Sequence, residues 1–196
     1  MRGAANAVNQ LSEEEKNKGV TTHSSGNFAQ AVALSAQLSN IKANIVMPEN
    51  APEVKKKAVK GYGANIVECE STLQARESTA QKIVEETGAT FLHPYNCYNV
   101  IAGNATATIE LHQQTEELDL VFAPIGGGGL ISGTALANHH FSNCLTYGAE
   151  PKGADDAYRS FKSGELIPMV NPNTIADGLR TSLGDKCFPI IQKHVK

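Results

Sequence analysis

The amino-acid sequence predicts an α/β fold, a parallel sheet with helices on both faces. Three observations lead there. Short apolar or β-branched runs alternate with longer runs whose apolar residues recur every three or four positions. Glycine and proline punctuate the junctions. A run of four glycines, Gly126, Gly127, Gly128 and Gly129, lies where the apolar stretch Leu118–Ile125 gives way to the helical stretch Leu130–Asn138. Strands that alternate with helices need crossover connections, and those connections cover both faces of a parallel sheet.

The elements follow in order. Val20–Thr22 is short and β-branched, and Phe28–Leu38 places Phe28, Ala31, Val32, Ser35 and Leu38 on one helical face. Ala43–Met47 reads as a buried strand stopped by Pro48. Pro52–Lys60 reads as a helix with Pro52 in its first turn and Gly61 at its end. Asn65–Glu68 is a strand, Leu73–Thr87 a helix, and Thr90–Leu92 a strand ended by Pro94. Val100–Gln113 is helical, Leu118–Ala123 and Leu145–Ala149 are strands, and the proline-rich region after Tyr158 is less regular. Lys55, Lys56, Lys57 and Lys60 read as a solvated basic face of their helix.

With 196 residues, 41% of them hydrophobic and 19% charged, the chain has the composition of an ordinary soluble globular protein. A net charge of −3 argues against nucleic acid or an anionic membrane as partner. No apolar run approaches a membrane span or the core of a signal peptide. Cys69, Cys97, Cys144 and Cys187 are widely spaced, form no C-x-x-C, and read as reduced thiols of a cytoplasmic protein.

Three segments follow predicted strands, so topology should bring at least some of them to the carboxyl edge of the sheet, where open α/β proteins bind ligands. The glycine run strips every side chain from a strand-to-helix turn. Its backbone N–H groups can then converge on an anion at the positive end of a helix, and phosphate is the expected guest; an unliganded tight turn is the plainer alternative. No register of the run supplies G-x-G-x-x-G, and Thr134 stands where a P-loop needs lysine. His23-Ser24-Ser25-Gly26-Asn27 reads first as a helix cap and second as a carboxylate cradle. Glu150 and Asp156, with the Ala154 carbonyl between them, make an oxygen set suited to Mg²⁺ or Ca²⁺, against the alternative of a solvated acidic loop. The histidines supply no transition-metal motif: His139 and His140 are adjacent and point different ways on a helix, and His93, His112 and His194 are isolated.

Taken together and in this order, these segments resemble the serine racemase and serine/threonine dehydratase family. That family has the tryptophan-synthase-β-like fold and uses pyridoxal 5′-phosphate. The resemblance is carried by Arg2-Gly3-Ala4, Thr22 to Asn27, Gly61-Tyr62-Gly63-Ala64, His93-Pro94, Val100 to Gly103, Pro124 to Gly129, Ala149-Glu150-Pro151 with Ala154-Asp155-Asp156, and Thr174 to Gly178. It implies that Gly126 to Gly129 hold the cofactor phosphate, that Asn27 bonds the pyridine 3′-oxygen, and that Gly178 flanks the cofactor. It implies that Ser24, Ser25 and Asn27 line the substrate carboxylate, that Thr181 is another substrate-facing hydroxyl, and that Glu150, Ala154 and Asp156 bind Mg²⁺ or Ca²⁺. Ser25 stands where racemases of the family place the proton donor opposite the lysine, which favours the racemase branch without removing dehydration. The substrate implied is an amino acid, serine or threonine, and the full-length form is expected to be a homodimer.

The resemblance divides the chain into a partial large cofactor-binding domain, 1–20 with 94–196, and a small domain, 21–93, that carries the Ser-Ser-Gly-Asn loop. It also has departures. Phe28 replaces a histidine, and Asn104-Ala105-Thr106 replaces Gln-Gly-Thr. The family's cofactor-bearing lysine lies in Ser-Phe-Lys-x-Arg-Gly-Ala with Met1 at x, so the expectation is that these 196 residues alone neither racemise nor dehydrate serine. The competing expectation is a catalytically silent relative that binds a ligand or a partner subunit. An in-frame Ser-Phe-Lys upstream of Met1 separates the two.

Overall fold

A computed structural model describes residues 1–24 and 26–196. The chain forms two compact units, one of Met1 and Gly3–Pro94, the other of Arg2 and Tyr95–Lys196. The break falls after Pro94, and residues 3–20 cluster with the first unit.

The first unit opens with helices α1 (Arg2–Asn9) and α2 (Glu13–Lys18). The start of α2 is a capping box: the Glu15 N–H donates to Ser12 Oγ (3.2 Å) and the Ser12 N–H donates to Glu15 Oε2 (2.8 Å). There follow β1 (Val20–His23), α3 (Asn27–Leu38), β2 (Ala43–Pro48), α4 (Glu53–Gly61), β3 (Asn65–Cys69), α5 (Leu73–Thr87) and β4 (Thr90–Phe91). The four strands pair in parallel in the order β3-β2-β1-β4, with Val20 opposite both Ala43 and Thr90 and with Ile45 opposite Ile66. Strands covered on both faces read as continuous apolar runs, and Ile45, Val46 and Met47 are fully buried as that predicts. Val46, Cys69, Ala80 and Ile83 form a cluster joined by Val67, Ala75 and Phe91, which seats α5 on the sheet. Burying each such aliphatic side chain is worth about 1.5–3 kcal/mol.

The second unit comprises α6 (Tyr98–Gln114), β5 (Leu120–Pro124), α7 (Gly129–Phe141), β6 (Leu145–Ala149), α8 (Asp156–Ser163), a 3₁₀ turn (Asp177–Leu179) and α9 (Phe188–His194). Strands β5 and β6 pair in parallel, Leu120 with Leu145 through Pro124 with Ala149, and Val195 bridges to Thr146 beside them. Ile101, Ile125, Ile131, Ala157, Leu183, Cys187 and Ile191 belong to one buried core. Helices α6 and α7 meet at Gly133, where an added Cβ would lie 2.7 Å from both the Ala105 nitrogen and the Ile101 carbonyl oxygen.

Parallel strands flanked by helices are present as the alternation predicts, in two sheets rather than one, and several details differ. The α4 helix runs through Gly61, with Pro52 as its N-cap rather than in its first turn. The chain turns at Gly63 (φ +75°), two residues beyond the Gly61 that was expected to end the helix. Lys56 is not on a solvated face: it is buried, and its ammonium donates to Glu68 Oε1 (2.8 Å) and the Glu49 carbonyl (2.7 Å), which repay its desolvation. The segment after Glu150 is not all loop, since Asp156 opens α8.

Candidate active site

The second unit presents the glycine run between β5 and α7, with Gly128 as N-cap in the left-handed region (φ +90°). All four glycines are buried. Among the described residues none of their N–H groups donates to a backbone carbonyl, and the first bond of α7 runs from the Ser132 N–H to the Gly128 carbonyl (3.0 Å). These are donors of a helix start held out of bulk water, a type of site that suits an anion. The loop is also crowded by protein. A Cβ on Gly127 would run into the Tyr95 ring, and one on Gly128 would lie 2.7 Å from Cys187 Cβ and Leu183 Cδ1. A Cβ on Gly126 would meet the Gly178 carbonyl oxygen at 2.9 Å and Thr181 Oγ1 at 3.3 Å. Gly178 and Thr181 are therefore brought against the glycine run. Tyr95 is a site neighbour the sequence reading missed; its position directly after His93-Pro94 was the available signal. The chemistry of the loop, unspent buried N–H donors at a helix N-terminus, fits the phosphate of a cofactor.

Glu150 follows β6 and turns its carboxylate onto the start of α8. Its Oε1 accepts from the Ala157 N–H (3.2 Å) and its Oε2 from the Tyr158 N–H (2.9 Å). Burial pushes the Glu150 carboxyl up to about 7, opposed by those two hydrogen bonds and reinforced by Asp156 and Asp155. Asp156 is fully buried; its Oδ2 accepts from the Leu183 N–H (2.8 Å), while its Oδ1 has no partner among the described residues. Burial raises its carboxyl too, against the pull of the Leu183 bond. Ala154 is buried in the turn Pro151–Ala154, and no backbone N–H among the described residues donates to its carbonyl. Two desolvated carboxylates and an orphaned oxygen fit a hard cation. No three His, Cys, Asp or Glu side chains among the described residues are arranged to hold a metal ion.

The first unit carries the other predicted residues. His23 ends β1, is buried, and packs against Phe91 (centroids 5.3 Å) and His93 (5.8 Å). Burial, then the charge of Arg76, holds its imidazole below its ordinary value. Ser24 Oγ accepts from the Gly26 N–H (3.3 Å), which makes a local turn and not a helix cap. Gly26 is the N-cap of α3 and no side chain caps it, so Asn27 stands exposed at an open helix N-terminus. Ser25 lies outside the described residues.

The histidines of the second unit are not dispersed. His139 and His140 end α7, His194 ends α9, and the His139 ring lies 5.0 Å from His140 and 4.4 Å from His194, centroid to centroid. Two helix ends meet there, which adjacency in sequence does not reveal.

These features coincide with a match over residues 1–196 to the family described as pyridoxal-phosphate dependent enzyme, and the chain belongs to that family. Within it the likeness is to the serine racemase and serine/threonine dehydratase group. A serine racemase of Dictyostelium discoideum is 47% identical over 99% of this chain and 61% of its own length. A beta-hydroxyaspartate dehydratase of Paracoccus denitrificans is 48% identical over 100% of this chain and 62% of its own. The structure of maize serine racemase matches with a TM-score of 0.96 at 46% identity, over 100% of this chain and 60% of that one. The chain thus spans less than two thirds of each of these relatives.

Proposed function

We propose that this sequence belongs to a pyridoxal-phosphate-dependent serine racemase that also dehydrates serine or threonine. The observation that carries the reading is the buried glycine run at the start of α7, whose N–H groups find no backbone acceptor among the described residues. When bound, pyridoxal phosphate supplies an electron sink at the α-carbon of the amino acid. Gly126, Gly127, Gly128 and Gly129 hold its phosphate, Gly178 flanks it, and Asn27 donates to its 3′-oxygen. Ser24, Ser25 and Asn27 orient the substrate carboxylate, and Thr181 offers a further hydroxyl. Ser25 moves the α-proton on one face, which is the general-acid role a racemase needs opposite its base. Glu150, the Ala154 carbonyl and Asp156 hold Mg²⁺ or Ca²⁺.

In the whole protein we assign 1–20 with 94–196 to the cofactor domain and 21–93 to the small domain, with a cytoplasmic location and a homodimer. Among the described residues no helix is long and apolar enough to cross a membrane. The test is to purify the product of the whole reading frame, supply the cofactor, and follow L-serine to D-serine by chiral chromatography and to pyruvate by coupled assay. Both products are expected, and Ser25→Ala should suppress racemisation far more than dehydration. Retained cofactor with neither product would favour the silent ligand-binding relative.

A further inference from the structure

We propose that His139 and His194, with His140 beside them, form a surface site for a divalent transition metal of the zinc, nickel and copper class, separate from the carboxylate site. The geometry is close to that of a chelate. An imidazole nitrogen binds zinc at about 2.0–2.1 Å, which places two rings on one ion about 4.6–5.3 Å apart between centroids. The observed separation is 5.0 Å for His139 and His140, inside that range, and 4.4 Å for His139 and His194, just below it, so that a small outward turn of the exposed His139 ring is needed. The two backbones that bear the pair share one anchor. Asn138, next to His139, is buried and donates through Nδ2 to Thr146 Oγ1 (2.8 Å), while its Oδ1 meets His112 Nε2 (2.7 Å). Val195, next to His194, bridges to Thr146, and the Lys196 N–H donates to the Thr146 carbonyl (2.9 Å).

Thr146 is itself buried in β6. The two imidazoles therefore project from fixed backbone on rigid elements, which limits the ordering cost of binding an ion. His139 and His140 are exposed and His194 half-buried, so an ion reaches them from solvent. No three ionisable side chains among the described residues already converge on a point. Two imidazoles therefore make the primary contact, water completes the shell, and a side-chain rotation of His140 adds a third nitrogen. Imidazole nitrogen selects zinc, nickel and copper over Mg²⁺ and Ca²⁺, which prefer oxygen.

The experiment uses the untagged 196-residue chain, stripped with chelator and titrated with nickel chloride and with zinc chloride alone. One ion per chain is expected, and His139→Gln and His194→Gln should each weaken binding roughly tenfold or more. A large excess of Mg²⁺ should not displace the nickel. Thermal unfolding without metal should match the parent, since neither ring is buried in the core. On the unsubstituted chain, Cu²⁺ should give an electron-spin spectrum with coupling to imidazole nitrogen. Nickel binding unchanged in both histidine variants, displacement by Mg²⁺, or a copper spectrum of oxygen ligands alone would each overturn the proposal.

Discussion

At Gly127 the sequence predicts a phosphate neighbour, and the structure sets the Tyr95 ring where a side chain would be. Gly127→Ala should therefore lower stability by about 1–3 kcal/mol through overpacking, even with no cofactor present. Urea unfolding should show a lower midpoint at unchanged slope, and Tyr95→Ala in the same chain should restore part of it. A second prediction concerns Asp156, whose Oδ1 is buried without a partner among the described residues. Added Mg²⁺ or Ca²⁺ should raise the unfolding temperature, and Asp156→Ala should abolish the increase. The pH dependence has a definite sign. Because folding raises the Glu150 carboxyl to about 7, the folded state holds its proton more tightly than the unfolded chain. In the metal-free protein that contribution is full below the ordinary carboxylate range and is lost as pH rises through about 7. The cation competes with that proton, so stabilisation by Mg²⁺ should grow over the same window. Thermal scans at pH 5 and pH 8, with and without magnesium chloride, would check this; equal increments at both would refute it.

Among the helices, α5 was legible from end to end because it carries local signals at both termini. Thr72 Oγ1 accepts from the Ala75 N–H (3.1 Å) and Gly88 closes the helix in the left-handed conformation (φ +70°). Thr72→Ala should cost about 1 kcal/mol for the lost cap. Gly88→Ala should cost about 1–2 kcal/mol for the strained backbone, and chemical denaturation would measure both. Helix α8 was missed although Asp156 in its first turn and Gly164 at its end (φ +77°) are the usual start and stop signals. The capping box of α2 was equally available and not used. Other features could not have been read at any level of care. Strand β4 has only two residues, Thr90 and Phe91, too few for a period. The meeting of His139 with His194 depends on how α7 and α9 pack. Gly133→Leu would push α6 and α7 apart against backbone atoms, and loss of the cooperative unfolding transition is the expected result.

At the scale of the whole molecule, the alternation of strands and helices told the fold class. The link at Pro94–Tyr95 has no run of flexible residues to announce it in the sequence. The parallel order of the strands has a consequence for synthesis. In the first unit every strand pairing, β3-β2-β1-β4, is satisfied once residue 91 has been made. In the second, Thr146 waits for Val195, so its sheet gains that partner only after residue 195 has been made. Domains tend to fold as units and N-terminal ones first, so the unit bearing the Ser24–Asn27 loop should be protease-resistant on stalled nascent chains while the glycine run is still exposed. A nascent chain whose first unit stays digestible until release would show instead that the two units are born together.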